Sequence, residues 1–296
     1  MRPLTVCFIA CGFWLGAAPR AVGQGDAPTR NGNVMLANVL STIQRHASIS
    51  ARLRYQARLF EHTQRGSGNY WQQGTEGKPR TYWEMKTQIA GETASYVQVF
   101  DGNHLWTDRR LPSGRQVRRL DVALLQSRLL SAPQAPRDLL LTTTGQGGLI
   151  QLLTEHLRKF DFEEPRPSQL AGMPVHALIG HWRLAELKEI WPNCDALTTT
   201  EPPPWPEQIP QHVLVLVSQN MFPYLFEQRR ASDTYLASTV AGLRPTCDPL
   251  LRYEIFEVRF ATAIDPSRFE FKEDVDWKDE TAHVVERLQK KHETRR

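Results

Sequence analysis

Apolar and polar positions along the chain change period several times, and each change marks an element. Over residues 34–46 the apolar side chains Met35, Leu36, Val39, Leu40 and Ile43 recur at helical spacing. Then Ala51, Leu53, Tyr55, Ala57 and Leu59 alternate with Arg52, Arg54, Gln56 and Arg58. Period two predicts a strand with one buried and one wet face. Gly66, Ser67 and Gly68 predict a turn, after which residues 69–73 resume as a strand. Residues 80–89 set Trp83, Met85 and Ile89 against Tyr82, Glu84 and Lys86. Asp101, Gly102 and Asn103 are a hairpin signal between two apolar runs, and residues 116–122 predict a further strand.

The middle of the chain turns helical. Residues 122–130 and 136–141 are short candidates, and residues 148–159 (GLIQLLTEHLRK) carry Ile150, Leu152, Leu153 and Leu157 on one side. A second strand-rich region follows: Phe160 and Phe162, then Val175, Ala177 and Ile179, then residues 212–218, 224–230 and 251–261. Residues 202–210 (PPPWPEQIP) hold too much proline for a helix or central strand and predict a surface crossing. Residues 279–296 predict a charged tail or frayed helix. Strands, helices, then strands again predict an α+β fold built on a large curved antiparallel sheet.

Composition narrows the class. The chain has 296 residues, 41% apolar and 23% charged, which excludes a disordered chain and a polytopic membrane protein. Net charge is +4, and it falls to +2 without the first 23 residues, whose only charges are Arg2 and Arg20. So small an excess gives no support to nucleic-acid binding. Residues 1–23 read as a secretory signal peptide: Arg2, an apolar run over residues 4–18, and small residues Ala21 and Gly23 before a cleavage point. An uncleaved anchor, or lipidation at Cys11, are the alternatives. The exported remainder keeps Cys194 and Cys247, an even pair that an oxidising compartment permits to bridge.

No pattern of catalytic residues stands out. The nine histidines never take the two-histidine helical spacing of a zinc site, no serine sits in a nucleophile elbow, and Gly145, Gly147 and Gly148 lack the Lys-Ser/Thr of a phosphate loop. The expectation is a protein without enzyme activity, cofactor or metal. The apolar inventory points instead to a ligand cavity on the inner side of the sheet. Its candidate lining is Leu53, Tyr55, Leu59, Trp71, Trp83, Met85, Val97 and Val99 from the early strands. Leu214, Leu216, Phe226, Phe256 and Val258 come from the later ones.

Several stretches resemble the outer-membrane lipoprotein carrier (LolA/LolB-like) superfamily. They are ARLRYQARLF (51–60), GSGNYWQQ (66–73), TYWEMK (81–86) and the hairpin VFDGNHLWT (99–107) with its Asp101, Gly102, Leu105 and Trp106. The later pieces GHWR (180–183), FPYLFEQRR (222–230) and YEIFEVRFATAIDPSRFEF (253–271) resemble a longer exported branch. The resemblance implies an unclosed half-barrel closed by helices, spanning residues 34–278 as one domain, with an apolar cavity for acyl chains. It implies a periplasmic carrier, peripheral to the cell envelope, whose partner is a lipid or acylated protein. The alternative is an envelope protein-interaction or sensor module on the same fold, contacting a protein partner through the proline-rich crossing and the charged tail.

Overall fold

The structure, a computed structural model, describes residues 31–59, 62–74, 79–89, 91–131, 147–198, 204–230, 249–272 and 275–294. The expected signal peptide, the candidate helix at 136–141, Cys247 and the first part of the proline-rich crossing lie outside the described residues.

Helix α1 (Asn31–Arg45) leads into six strands connected in sequence: β1 (Ser48–Leu59), β2 (His62–Gln73), β3 (Arg80–Ile89), β4 (Glu92–Phe100), β5 (His104–Leu111) and β6 (Gly114–Asp121). Helices α2 (Val122–Ser131) and α3 (Gly148–Lys159) precede β7 (Phe160–Phe162), β8 (Arg166–Leu170), β9 (Met173–Trp182) and the short α4 (Leu184–Lys188). Strands β10 (His212–Ser218), β11 (Pro223–Arg229) and β12 (Leu251–Phe260) follow, then the two-residue β13 (Lys278–Asp279) and α5 (Thr281–Thr294). The strands form one sheet in the order β13-β6-β5-β4-β3-β2-β1-β12-β11-β10-β9-β7, with β8 also on β9. Every pairing is antiparallel except that of β13 with β6. The two ends do not meet, so the sheet is unclosed, as expected. The strand that closes the middle is β12, which pairs with β1 from far along the chain.

The sheet bends toward the face that carries α1 and α3. Trp83 on β3 and Tyr253 on β12 touch with ring centroids 5.8 Å apart, although β2 and β1 lie between them. On a flat sheet three strand spacings amount to roughly 14 Å. The bend passes through Gly66 and Gly68, which lie inside β2 and not in a turn as the sequence suggests. A Cβ at Gly68 would sit 1.7 Å from the Glu84 carbonyl oxygen, and one at Gly66 would sit 2.3 Å from the Tyr55 ring. These glycines let neighbouring strands and a tyrosine ring occupy the space of a side chain, the use glycine has at a sharp strand bend.

Helix α1 lays Leu36, Val39 and Ile43 on the concave face, and α3 adds Leu149, Ile150 and Leu153. The start of α1 is tied to the edge of the sheet, where the Phe162 N–H donates to Asn33 Oδ1 at 2.9 Å. The start of α3 is close-packed: Gly147 and Gly148 have φ of 66° and 57°, and a Cβ at Gly148 would lie 2.7 Å from the Tyr70 ring. Gly147 and Gly148 thus serve a tight approach in left-handed backbone.

The charged C-terminal stretch is helical over Thr281–Thr294, and it packs Val285 against Leu125 of α2. Asp279 opens that helix by accepting from the Thr281 N–H at 2.8 Å and pairs with Arg119 at 2.8 Å. Partial burial works against ionisation there, but these bonds hold the Asp279 carboxyl at about 2.

Replacing Gly68 by valine is expected to destabilise the fold by about 1–3 kcal/mol, by forcing β2 from β3. The exposed neighbour Ser67→Val is expected to change stability by less than about 0.5 kcal/mol. Urea unfolding of both variants checks this.

Candidate functional site

Six of the thirteen expected lining residues converge on the concave face. Alternation along β1 turns Ala51, Leu53 and Tyr55 inward, and the register carries that parity across the sheet. Leu53 sits opposite Gly68 and Ile255, Tyr55 opposite Gly66 and Tyr253, and Met85 opposite Tyr96. Leu53, Tyr55, Trp83, Met85 and Phe226 are buried in this one cluster, with Val258 packed against it. The backbone of Leu59 pairs with His62 at the end of β1.

The other six candidates lie on the opposite face. Trp71 meets Tyr82 at a tilt, ring centroids 4.8 Å apart, and lies under the Arg268 guanidinium, 4.4 Å away. Val97 and Val99 pack with Trp106 and Val117 beneath Phe271, Val275 and Trp277. Leu214 and Leu216 join Val175, Ala177, Ile179 and Leu225. Phe256 lies under Arg54 and Arg52, at 4.7 and 5.9 Å. The expectation that all thirteen line one hollow is therefore corrected. Apolar layers cover both faces of the outer strands, so apolar residues point both ways and alternation gives no sign of direction; β10 is buried throughout. At Phe256 and Val258 the parity also slips, because Glu257, at φ 50°, forms a bulge where the register with β1 shifts.

The inward residues of β2 are Tyr70 and Gln72, neither of which stands out in the sequence. Both are fully buried. The Tyr70 hydroxyl donates to Gln72 Oε1 at 2.6 Å, and Gln72 Nε2 donates to the Ile43 carbonyl at 2.8 Å. The Leu149 N–H, in the first turn of α3, bonds the same hydroxyl. A single polar thread thus joins the start of α3 to the end of α1 through β2, inside an apolar cluster. Burial pushes the Tyr70 hydroxyl far above its ordinary range, so it stays neutral.

Around this thread stands an aromatic wall. Tyr70 meets Trp83 edge-on at 5.8 Å, and Tyr253 meets Trp83 at 5.8 Å and Tyr55 at 6.4 Å. The face is not equally closed along its length. Leu36, Val39 and Ile43 of α1 and Leu53 beneath have no exposure, whereas Tyr55 keeps 7%, Met85 8% and Tyr96 6%. Helix side chains fill the concavity beneath α1, and toward β3 and β4 the lining keeps only a trace of exposure. An apolar wall that carries tyrosine hydroxyls can bury a hydrocarbon chain and hydrogen-bond its polar end.

Helix α3 brings one titratable group into the same cluster. The His156 ring packs at a tilt against Phe160 and Phe226, at 5.7 and 5.5 Å, and its Nδ1 is 2.7 Å from the Leu152 carbonyl. Burial pushes it down to about 4. Among the described residues no three His, Cys, Asp or Glu side chains group as metal ligands. Cys194 is buried against Leu187 and Ile209 near Trp191 and Trp205, a small cluster that anchors the described part of the proline-rich crossing.

No family model and no curated protein matches the chain. Solved structures similar to it include the Pseudomonas aeruginosa MucA/MucB complex, at 11% identity and TM-score 0.40, covering 82% of this chain and 61% of that one. A Mycobacterium tuberculosis lipoprotein, LppX, matches at 7% identity and TM-score 0.37, over 79% of this chain and 97% of that one. A LolA superfamily protein from Nitrosomonas europaea matches at 12% identity and TM-score 0.31, over 82% and 99%. The chain thus spans under two thirds of the first of these. Its architecture is the unclosed, helix-covered sheet that the LolA/LolB-like resemblance implies, and that is established by the strand order itself.

Two outcomes follow from the buried polar groups. Tyr70→Phe and Gln72→Leu are each expected to cost about 1–3 kcal/mol, because each strands a buried partner. The double variant is expected to cost less than the two together, and a double-mutant cycle by urea unfolding measures the difference. The folded-state pKa of His156 lies below its unfolded value of 6.5, so its contribution is present above 6.5 and shrinks as pH falls toward 4. The slope it adds is at most about 1.4 kcal/mol per pH unit. His156→Leu is expected to flatten that part of the stability–pH curve.

Proposed function

We propose that this chain is an exported, non-enzymatic binding protein that holds an acyl chain or other apolar ligand against the concave face. It serves in lipid or lipoprotein trafficking at the cell envelope. The observation that supports this reading is the inward-facing aromatic wall of Tyr55, Tyr70, Trp83 and Tyr253. Burying an acyl chain there is worth about 0.8 kcal/mol per methylene, so affinity needs no reaction and no cofactor. Room for a long chain comes from lifting α1. Its polar tie at Ile43 and its anchor at Asn33 set how far that helix can move. The pattern of residues 1–23, a basic start at Arg2, an apolar run over residues 4–18 and small residues at Ala21 and Gly23, supports export.

A second reading, a protein-interaction module of the envelope, is favoured by one specific observation. Beneath α1 the concave face is already filled by Leu36, Val39 and Ile43. A surface so occupied needs no ligand to be complete.

The experiment is direct. Mature protein purified from an envelope fraction is extracted with organic solvent for mass spectrometry, and the stripped protein is titrated with a fluorescent fatty acid. Co-purified lipid and saturable uptake are expected, with uptake reduced about tenfold or more by Met85→Glu on the concave face. Lipid-free protein that takes up no fatty acid overturns the carrier reading and leaves the interaction module.

A further inference from the structure

The convex side of the central strands plays no part in holding an apolar ligand, yet its chemistry is specific. Toward one edge of the sheet this side is roofed by Phe271, Val275 and Trp277, and toward the other it carries the apolar cluster around Leu214 and Leu225. Between them, β12, β1 and β2 turn charged side chains outward. The register sets Arg259 beside Ser50 and Ser50 beside Trp71, Phe256 beside Arg52, and Arg252 and Arg65 on either side of Gln56. The Arg52 and Arg54 side chains are 60% and 62% exposed. Both lie over the Phe256 ring, and Arg268 lies over Trp71. Arg52 pairs with Glu257 and Arg54 with Glu254, each at 3.7 Å, and Arg252 pairs with Glu227 at 2.7 Å and with Glu254 at 3.5 Å. Among the described residues no ion pair forms at Arg58, Arg65 or Arg259. In a chain whose net charge is only +4, the arginines of this face therefore outnumber the carboxylates set among them.

We infer that this convex face docks an acidic polypeptide segment in extended conformation. Outward side chains on one strand recur about every 6.8 Å, and so do alternate side chains of an extended peptide, so successive carboxylates meet successive arginines. The guanidiniums are held against aromatic rings, which leaves their edges free for bidentate carboxylate bonds and reduces the ordering cost of making them. The same arrangement disfavours two other polyanions. A sugar ring needs an open aromatic face to stack on, and arginine covers the Phe256 and Trp71 faces. A planar bilayer meets a convex surface only along its crest, and rings roofed by arginine offer no apolar wedge to insert.

The test is fluorescence anisotropy at low ionic strength, using a labelled peptide with glutamate at alternate positions. Saturable binding is expected, weakening steeply with added salt. Arg54→Glu combined with Arg65→Glu is expected to weaken it about tenfold or more, and Arg52→Gln with Arg259→Gln to weaken it less. Arg287→Glu on α5 is expected to leave it unchanged. All these side chains are exposed or without buried partners, and circular dichroism confirms that each variant folds. Binding that ignores the paired variants, or equal binding of the lysine counterpart peptide, overturns the inference. A preference for anionic vesicles or a polyuronate over the peptide overturns it as well. Uptake of fatty acid by the Arg54/Arg65 variant is expected to persist, so this inference and the carrier reading fail separately.

Discussion

The Tyr70 hydroxyl is the constraint on which the concave side depends. It sits where an apolar interior would otherwise be seamless, and it joins the backbone at the start of α3 to Gln72 and through it to the end of α1. Helix termini leave backbone groups without partners, and in a buried position each such group costs free energy. Here one strand supplies partners to two helix ends at once. The helices are therefore placed by hydrogen-bond direction as well as by contact, and neither can slide along the sheet without stranding a polar atom.

The bend of the sheet follows from what is absent at Gly66 and Gly68. With no side chains there, β2 closes on β3, the Tyr55 ring folds over the strand, and Trp83 reaches Tyr253 across two intervening strands. Curvature then divides the molecule chemically. The inner surface gathers aromatic and aliphatic side chains under two helices. The outer surface splays its arginines apart and leaves the centre open while returning segments roof the flanks. An apolar ligand and an acidic peptide would thus meet opposite sides of the same three strands, β12, β1 and β2.

Much of this was legible from local pattern. The helical spacing of Met35, Leu36, Val39 and Ile43, the alternation through Ala51, Leu53 and Tyr55, and the Asp101-Gly102-Asn103 hairpin all rest on interactions within a few residues, and each formed as its period predicts. The inward side of β3 was legible for the same reason, with Trp83 and Met85 buried and Lys86 exposed. What failed was the assignment of faces where a second layer covers the sheet. Val97, Val99, Leu214 and Leu216 are as apolar as the inner residues because Trp106, Phe271 or Ile179 lie against them. Trp71 and Tyr70 are both large aromatics on adjacent positions of β2, and only the register shows that Tyr70 is the one turned inward.

Chain-local physics alone therefore determined the element types, the antiparallel class, and the presence of one strand with a basic side. Only the tertiary structure decided which apolar residues share a surface. That question turns on register across strands far apart in sequence, such as β1 with β12, and on a bulge at Glu257 that reverses parity midway along a strand. It also decided that a glycine pair marks a bend and not a turn, because the obstacle to any larger residue is the Glu84 carbonyl of the neighbouring strand, which no local pattern contains.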